Sequence, residues 1–525
     1  MDYYISVALT AVAAVLSGIM CLPILKILQL SGYKAKGVIA WQKASSYDVT
    51  VRYIAFTLFS FIAMIVYVGC FGTYAYARYC AVALYIILAV MFSVYAKRSK
   101  ISDVKFTGRV KRLFALDFLI MLALGAGVAW ASYYSPYCQT VTAALGMFAP
   151  LAAILSNAVL SPFERANNKR YIKRAKQKLT ESSPTVIGIT GSYGKTTAKN
   201  LLRDMLATEY SVLATPGSYN TPMGVCLTVN NVLADEKFLI AELGARYKGD
   251  IAELCDIVSP KYGIITSVGD MHLETLKSRE GVAEVKYELG KALPSDGLLV
   301  LNGYNESCAA LAERESACRK ETVGKDGGIS YEDIKIDGVG TSFTLVINGE
   351  RYGVTTKLLG AHIPELVCVC AAVAIECGVS ADGIVKAVRA AAPVEHRLQL
   401  LSEPDADVIV IDDAYNSNPI GAKNALSVLG CFDVKKVIIT PGFVELGTIE
   451  KSANTELGKN IAEVCDHAFL IGTRAADIKE GAIEGGMNEA DISVFSSRQE
   501  AVEALKSISD RKAVLFENDL PDNIK

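Results

Sequence analysis

The stretch "GITGSYGKTTAKNLL", residues 188–202, has the pattern of a loop that holds nucleotide phosphates. The apolar segment 185–190 before it predicts a β-strand. Residues 196–209 after it predict a helix, because its leucines and Met205 would share one face. This order of strand, glycine-rich turn and helix places the turn at a helix N-terminus, where anions bind readily.

Two glycines and two polar residues of this turn carry its chemistry. Gly191 and Gly194 let backbone N–H groups converge on an anion. Lys195 would neutralise the β- and γ-phosphates, and the hydroxyl of Thr196 would reach Mg²⁺. The motif departs from the usual GxxxxGK[ST] spacing. That spacing would place the first glycine at position 189, but residue 189 is Ile and the glycines stand at positions 188 and 191. We therefore predict phosphate binding by an unusual version of this loop.

The composition bounds the rest of the chain. Its 525 residues are too many for one ordinary domain, so three or more units are expected. Hydrophobic residues make up 51% of the chain, and the excess lies before residue 162. The net charge of −2 argues neither for nor against a nucleic-acid partner. The 13 cysteines are scattered and form no CxxC pair, which indicates a reducing compartment.

Five apolar runs before residue 162 are each long enough to cross a hydrocarbon core of ~30 Å as a helix. The first run lacks a basic start and exceeds a signal peptide's usual length, so we interpret it as a retained span. Lys and Arg concentrate in the loops between runs one and two and between runs three and four. This pattern places the N-terminus outside and everything after residue 161 in the cytoplasm. The third run is marginal, and its loss would invert this orientation. The five runs cover residues 4–28, 53–75, 79–96, 113–134 and 138–161.

A basic segment, "ERANNKRYIKRAKQKL" at residues 164–179, follows the last run and contains seven Lys or Arg residues. Such a segment can be interpreted as a solvated helix beside the membrane or as a contact for anionic lipid headgroups. The two interpretations are compatible. We therefore predict a basic linker over residues 163–183, between the apolar region and the rest of the chain.

Short Val- and Ile-rich runs alternate with amphipathic helical patterns after Pro184. This alternation predicts parallel sheets with helices on both faces. The rhythm breaks near residues 392–401 and a second, smaller pattern of the same kind begins. We predict an α/β protein with an N-terminal α-helical transmembrane region, a central P-loop α/β domain and a C-terminal doubly wound α/β domain. The predicted units are residues 1–162, 163–183, 184–392 and 393–525.

Seven further motifs, in order and spacing, resemble those of the Mur ligase family. This family comprises the ATP-dependent amide-forming enzymes of peptidoglycan precursor synthesis. The resemblance covers most of residues 184–525 and is closest to the branch that adds D-alanyl-D-alanine to a UDP-MurNAc-tripeptide. The motifs are "TPGSYNTPMGV" (215–225), "AELGARYKGDI" (241–251), "ITSVGDMHLE" (265–274), "VKYEL" (285–289), "HRLQ" (396–399), "DDAYNSNP" (412–419) and "TPGFVELG" (440–447).

Three residues outside the loop gain a predicted metal role from this resemblance. From the sequence alone, Glu242 could face solvent, His272 could be a structural hydrogen-bonding residue and Lys286 could be a surface lysine. The resemblance implies that Glu242 binds Mg²⁺, as does Thr196, and that His272 binds a second Mg²⁺. It also implies that Lys286 is carbamylated by CO₂ and helps to hold the second ion. One of the family's two frequent lysines is absent here, since Glu284 stands in its place.

The resemblance further implies residues for nucleotide and substrate. The expected catalytic residues are Lys195, His272 and Lys286. Loop 215–224 would meet the acceptor carboxylate and a metal through Thr215, Ser218 and Asn220. The expected ATP-binding residues are Gly191, Ser192, Tyr193, Gly194, Lys195, Thr196, Thr197, Arg397, Asp412, Asp413, Tyr415, Asn416 and Asn418.

One position departs from the family in a way that affects the nucleotide. The family usually has an asparagine that touches adenine four residues after the histidine of "GxH", but Leu366 stands there in "GAHIPEL". Leucine cannot hydrogen-bond a base edge, and Pro364 should perturb the first turn of this helix. This leaves three alternatives: adenine is held by other groups, the affinity for the nucleotide is weakened, or the enzyme is degenerate. The complete set of Lys195, Glu242, His272 and Lys286 argues against degeneracy.

These observations favour a ligase in the cytoplasmic membrane of a bacterium, multi-pass and with its catalytic domains in the cytoplasm. It would activate a peptide carboxylate as an acyl phosphate and join it to an amine, with D-alanyl-D-alanine favoured. Nothing in residues 1–183 resembles the UDP-binding domain of the family, so the acceptor could be lipid-linked. Expected partners are membrane lipid, the peptide substrate and other cell-wall enzymes, without nucleic acid. The alternatives are a Mur-like ligase for another envelope or polyglutamate-type substrate, and a nucleotide-binding membrane scaffold.

Overall fold

A computed structural model describes residues 21–33, 106–134, 149–325, 327–415 and 417–518, with single positions at 38, 58, 62 and 87. The chain divides into two compact units. The first comprises residues 1–169 and 521–525, and the second comprises residues 170–520. The described helices up to the second unit are α1 (Leu22–Leu30), α2 (Gly108–Tyr134) and α3 (Ala149–Ser182), and α3 contains residues of both units.

The predicted bundle of five spans is not confirmed in the first unit. Among the described residues, one helix, Gly108–Ala131, is long and apolar enough to cross a membrane, judged by length and composition. The predicted runs 53–75 and 79–96 lie almost entirely outside the described residues, as do most of run 4–28 and part of run 138–161. One such helix is weak support for a span, and the described part of the chain contains no multi-pass arrangement.

The second unit begins with a six-stranded sheet in which every pairing is parallel, in the order β2-β3-β1-β4-β5-β6. Strands β2 and β3 lie on one side of β1, and β4 to β6 lie on the other. The carboxyl end of β1 is therefore the topological switch point, where open α/β sheets bind ligands. The strands are β1 (Thr185–Thr190), β2 (Val212–Ala214), β3 (Phe238–Glu242), β4 (Tyr262–Ile265), β5 (Leu298–Asn302) and β6 (Arg319–Val323).

Helices cover both faces of this sheet because alternate residues of each buried strand point to opposite sides. Ile187 and Ile189 of β1 pack in one apolar cluster with α4, α10 and α11, whereas Val186 packs in the other with α5, α6 and α8. The helices are α4 (Lys195–Leu206), α5 (Pro222–Asn231), α6 (Asp250–Val258), α7 (Leu273–Leu276), α8 (Arg279–Ala292), α9 (Glu306–Ala309), α10 (Ile363–Glu376) and α11 (Ala381–Ala390).

A three-stranded antiparallel sheet lies between β6 and α10 in the chain and was not predicted from the sequence. It consists of β7 (Ile329–Ile336), β8 (Thr341–Ile347) and β9 (Glu350–Thr356). Phe343 and Leu345 of β8 pack in the same cluster as α10. The sheet therefore extends the core of the first half of this unit.

A second six-stranded sheet follows in the order β10-β11-β15-β12-β13-β14. Among the described strands of this sheet, the edge strand β10 alone runs antiparallel, and the other pairings are parallel. The strands are β10 (Gln399–Leu400), β11 (Val408–Asp413), β12 (Lys435–Thr440), β13 (His467–Ile471), β14 (Ile492–Phe495) and β15 (Lys512–Glu517). The helices are α12 (Pro419–Leu429), α13 (Glu450–Val464), α14 (Ala475–Glu484) and α15 (Arg498–Ala504).

The two α/β patterns predicted from the sequence are confirmed by these sheets. The predicted strand 185–190 is β1, and the predicted helix 196–209 is α4, which begins one residue earlier and ends at Leu206. The two sheets belong to one compact unit, and a cleft lies between their carboxyl ends.

Candidate active site

The phosphate loop connects β1 to α4 and is anchored to the segment after β4. The Ser192 amide donates to the Ser267 carbonyl at 3.0 Å, and the Tyr193 amide donates to Ser267 Oγ at 2.9 Å. Gly194 adopts a left-handed φ of 78°, which favours glycine. A methyl group on Gly194 would also lie 2.8 Å from Cδ2 of Leu366, so both backbone and space require glycine here.

Lys195 lies in the loop at the start of α4. Its Nζ donates to the carbonyls of Gly191 at 2.7 Å and Ser192 at 3.3 Å. Burial, opposed by the charge of Glu242 and aided by that of Arg397, lowers the pKa of Lys195 to about 8. The ammonium group is therefore held inside the loop that would surround phosphates.

Glu242, the last residue of β3, accepts three hydrogen bonds although its side chain is 1% exposed. Thr196 Oγ1 donates to its Oε2 at 3.0 Å, and Lys199 Nζ lies 3.2 Å from the same oxygen. Asn220 Nδ2 donates to Oε1 at 3.1 Å. The structure thus brings together Thr196, Asn220 and Glu242 as expected, and adds Lys199, which sequence reasoning missed.

The expected substrate loop lies against this carboxylate. The Glu242 amide donates to Thr215 Oγ1 at 3.2 Å, and the side chain of Thr215 is buried. The Ser218 hydroxyl contacts the hydroxyl of Tyr415, which belongs to the second sheet's half of the unit. Loop 215–220 therefore connects Glu242 to the opposite wall of the cleft.

Lys286 and His272 occupy different surroundings. Lys286 is buried on α8, and burial together with the charge of Lys195 lowers its pKa to about 7. His272 Nδ1 instead pairs with Glu445 Oε2 at 2.9 Å, and Arg246 lies 3.7 Å from the other carboxylate oxygen. The hydrogen bond from His272 lowers the pKa of Glu445. His272 thus contacts a carboxylate across the cleft.

Arg397 enters the cleft from the segment between the two halves. It lies over the ring of Tyr415, 4.1 Å from the centroid. Its neighbours His396 and Leu398 both have left-handed φ angles, of 59° and 44°. The Leu398 amide donates to Asp413 Oδ1 at 3.0 Å, which helps to hold this strained turn in place.

Two expected nucleotide-binding carboxylates have partners within the protein. Asp412 Oδ2 lies 2.6 Å from Nδ1 of His396. Burial raises the pKa of Asp413 to about 6, against the lowering effect of Arg397. Asn418 caps α12 by accepting from the Gly421 amide at 3.0 Å. The remaining expected residue of this segment, Asn416, lies outside the described residues.

A cavity of about 100 Å³ lies between the phosphate loop and the second half of the unit. The expected residues that line it are Ser192, Tyr193, Gly194, Lys195, Thr196, Thr197, Arg397, Asp413 and Asn418. A neighbouring cavity of about 330 Å³ shares Tyr193, His362 and Asn424 with it and is also lined by Asn305 and Glu365. Sequence reasoning missed His362 and Asn305, although the "GAH" pattern pointed to the former.

Known proteins match this chain over the region that forms the site. Residues 189–374 match the Mur ligase middle domain, and residues 396–517 match the Mur ligase, glutamate ligase domain. A Bacillus subtilis protein named UDP-N-acetylmuramoyl-tripeptide--D-alanyl-D-alanine ligase is 30% identical over 337 residues, which are 63% of this chain and 72% of the relative. The chain belongs to the Mur ligase family.

Further Mur ligases show how much is shared. A Mycobacterium bovis protein of the same name is 39% identical over 249 residues, 47% of this chain, and the chain spans about half of that relative's length (48%). MurF from Acinetobacter baumannii aligns with a TM-score of 0.61 at 25% identity, over 67% of this chain and 76% of that one. MurF ligase from Thermotoga maritima, in complex with ADP, gives 0.60 at 26% identity, over 67% and 80%.

These findings correct the predicted location of this Mur ligase. The prediction of a multi-pass protein of the cytoplasmic membrane is wrong. Its relatives are named as ligases of a UDP-linked tripeptide, and the matched regions begin at residue 189. Among the described residues, one helix is long and apolar enough to span a membrane.

The expected perturbation by Pro364 is also corrected. In this Mur ligase Pro364 lies in the first turn of α10, where its missing N–H would have no partner within the helix. The helix therefore begins normally at Ile363. Leu366, the residue in place of the family's asparagine, is buried and lies over Gly194 of the phosphate loop.

Oxygen ligands suited to Mg²⁺ are present at one place in the cleft. The described residues contain no cluster of three or more His, Cys, Asp or Glu side chains able to hold a metal ion alone. Mg²⁺ usually takes one or two carboxylates and completes its shell with substrate phosphates and water. The hydroxyl of Thr196 and the carboxylate of Glu242, in contact beside the phosphate loop, fit that pattern.

Proposed function

We propose that this Mur ligase family member is an ATP-dependent ligase that joins D-alanyl-D-alanine to a UDP-linked muramoyl tripeptide. The proposal is carried by the contacts of Glu242 with Thr196 and Asn220. They bring this carboxylate within hydrogen-bonding distance of the phosphate loop and of loop 215–220, called the acceptor loop below. The names of the relatives support the choice of substrates. Residues 184–392 and 393–525 would form the two domains that meet at this cleft.

The first half of the reaction is a phosphoryl transfer. A carboxylate of the tripeptide attacks the γ-phosphate of ATP, which gives an acyl phosphate and ADP. Lys195 and Arg397 would neutralise the charge that spreads over the transferred group, because both cations line the cavity beside the phosphate loop. Loop 215–220 would hold the attacking carboxylate in line.

The second half forms the amide. The amine of D-alanyl-D-alanine attacks the acyl phosphate, the amine loses a proton, and inorganic phosphate leaves. Contacts across the cleft, from His272 to Glu445 and from Ser218 to Tyr415, would keep the two halves closed. Closure matters because water that entered the cleft would hydrolyse the acyl phosphate.

Mg²⁺ would be held by Thr196 and Glu242, and it supplies charge neutralisation at the phosphates when bound. Lys286 is buried and has its pKa lowered to about 7, so a large fraction of its amine is neutral near pH 7. A neutral amine is the form that reacts with CO₂. We therefore propose that Lys286 is carbamylated, which would convert a buried cation into an oxygen-bearing anion.

The test is ligation by the purified full-length protein with ATP, Mg²⁺, D-alanyl-D-alanine and UDP-MurNAc-tripeptide, read by product mass and ADP release. We expect one ADP per amide formed, and a loss of about 100-fold or more in kcat for Lys195→Ala. Lys248→Ala is the control, because Lys248 is exposed and so is its partner Glu284. ADP release without any gain in product mass, with this tripeptide or a lipid-linked one, would contradict the proposal.

A further inference from the structure

A second lysine of α4 is buried beside the phosphate loop, one helical turn after Lys195. The side chain of Lys199 is 1% exposed, and so is that of its partner Glu242. Its Nζ lies 3.2 Å from Glu242 Oε2 and also donates to the carbonyl of Gly217. A lysine at this depth is unusual, because burying an ammonium group costs several kcal/mol unless it is paired and hydrogen-bonded.

The two partners of Lys199 belong to different elements. Glu242 ends β3, in the middle of the sheet, whereas Gly217 lies in loop 215–220, 25 residues earlier in the chain. Gly217 has a left-handed φ of 51°, so its carbonyl is aimed by a turn of the loop. Lys199 therefore connects the carboxylate beside the phosphate loop directly to the backbone of the acceptor loop.

The other hydrogen bonds that join this loop to its own sheet lie at its ends, and the Ser218–Tyr415 contact leads to the other half of the unit. Thr215 accepts from the Glu242 amide, and Asn220 donates to Glu242 Oε1 and accepts, through its carbonyl, from the Gly244 amide at 2.9 Å. The Lys199 contact falls between these two ties, at the turn of the loop. Without it the backbone around Gly217 and Ser218 would lose its connection to the sheet.

We propose that Lys199 is a positioning residue that fixes the acceptor loop against Glu242, so that the acceptor carboxylate and the ATP phosphates meet in one geometry. This inference rests on the proposed function of the loop. It assigns Lys199 a task distinct from that of Lys195: Lys195 serves the nucleotide, and Lys199 serves the acceptor. A lysine that only stabilised the fold would leave the affinity for the acceptor unchanged.

The experiment compares Lys199→Met and Lys195→Met in the full-length protein, with Lys248→Met as an exposed control. For Lys199→Met we expect faster hydrogen exchange at the amides of residues 217–221, an acceptor KM raised by about tenfold, and a Kd for ATP within about twofold of wild type. For Lys195→Met we expect the reverse pattern, with weakened ATP binding and unchanged exchange in the loop. Lys248→Met should alter neither.

Unchanged exchange in residues 217–221 of a folded Lys199→Met protein, or an unchanged acceptor KM, would overturn the inference. If Lys199→Met does not fold, Lys199→Gln is measured in the same way, because its amide keeps a donor but is too short to reach both partners. Hydrogen exchange needs no turnover. A wild-type protein that does not ligate would therefore defeat the proposed function alone, while the exchange result would still decide the role of Lys199.

Discussion

Glu517 is a buried carboxyl group at the end of β15, the third strand in the order of the second sheet. Its Oε2 accepts from Thr440 Oγ1 at 2.8 Å, and Ser417 donates to its other oxygen. Burial, opposed by the hydrogen bond from Thr440 and aided by the charge of the neighbouring Asp413, raises the pKa of Glu517 to about 8. The protonated acid is therefore the form that the fold accepts at neutral pH.

This shift predicts a pH-dependent gain from the neutral variant Glu517→Gln. Between the ordinary pKa of 4.5 and about 8, the folded protein holds a proton that the unfolded chain has released. Stability of the wild type must then fall as the pH rises through this range. We expect Glu517→Gln to exceed wild type by roughly 2–4 kcal/mol at pH 8, and by little at pH 5.

Urea unfolding across pH 5–8 measures this difference. The exposed Glu463→Gln serves as the control, because Glu463 lies on the surface of α13 and its variant should follow the wild-type curve. A constant offset between Glu517→Gln and wild type at all pH values would show that the carboxyl group is ionised in the folded state, contrary to the expectation.

At the scale of single residues, the sequence predicted types of side chain better than their contacts. The motif containing Glu242 pointed to a ligand for Mg²⁺, but the hydrogen bond from Thr196 joins residues 46 positions apart, which spacing cannot show. Lys199 was missed because a lysine four residues into a helix is typical of a solvated face. The partner of His272 was missed as well, since Glu445 lies 173 positions away.

Helix α10 packs against the phosphate loop with its first turn and against the core with its later turns. Its first turn places Leu366 over Gly194, while later residues such as Val373 are buried in the core of the first half. The leucine that replaces the family's asparagine therefore packs against the loop. An apolar contact here contributes to the shape of the loop in a way that a base-contacting amide would not.

We expect Leu366→Ala to affect both stability and nucleotide binding. The lost apolar contacts should cost about 2–4 kcal/mol, and the loosened loop should weaken ATP binding by about tenfold. Val373→Ala is the matched control, because it removes buried apolar surface from the same helix away from the loop. Urea unfolding and calorimetric titration with ATP measure the two effects. Equal ATP affinities in the two variants would show that α10 does not support the loop.

The elements themselves were partly predictable. The spacing of apolar residues indicated β1 and α4 to within three residues. The strand is a short buried apolar run, and the helix buries one regular face. The small sheet of β7 to β9 escaped prediction, since its strands are half exposed and interrupted by charged residues. Pro364 was expected to disturb α10, but its effect depends on its place in the first turn, which only the helix boundary reveals.

At the scale of the molecule, alternation of strands and helices was enough to indicate two α/β halves, but not how the halves meet. Their contact relies on long-range pairs that no local pattern encodes. Glu445 of the second half contacts His272 at 2.9 Å, lies 3.7 Å from Arg246, and accepts through its carbonyl from the Glu274 amide at 3.4 Å. This group of contacts joins the halves in addition to the contact between Ser218 and Tyr415.

We expect Glu445→Ala to loosen the closed arrangement without unfolding either half. The variant loses its contacts with His272 and Arg246. Because these ion pairs are partly exposed, their loss should lower kcat by about two- to fivefold. The turn at Arg397 should also become more accessible, because it lies between the halves. Trypsin cleavage after Arg397, quantified by mass spectrometry, should therefore be faster than in wild type.

Glu450→Ala is the control, since Glu450 pairs with Arg474 inside the second half. Equal cleavage rates in Glu445→Ala and Glu450→Ala would mean that the His272–Glu445 contact does not hold the halves together.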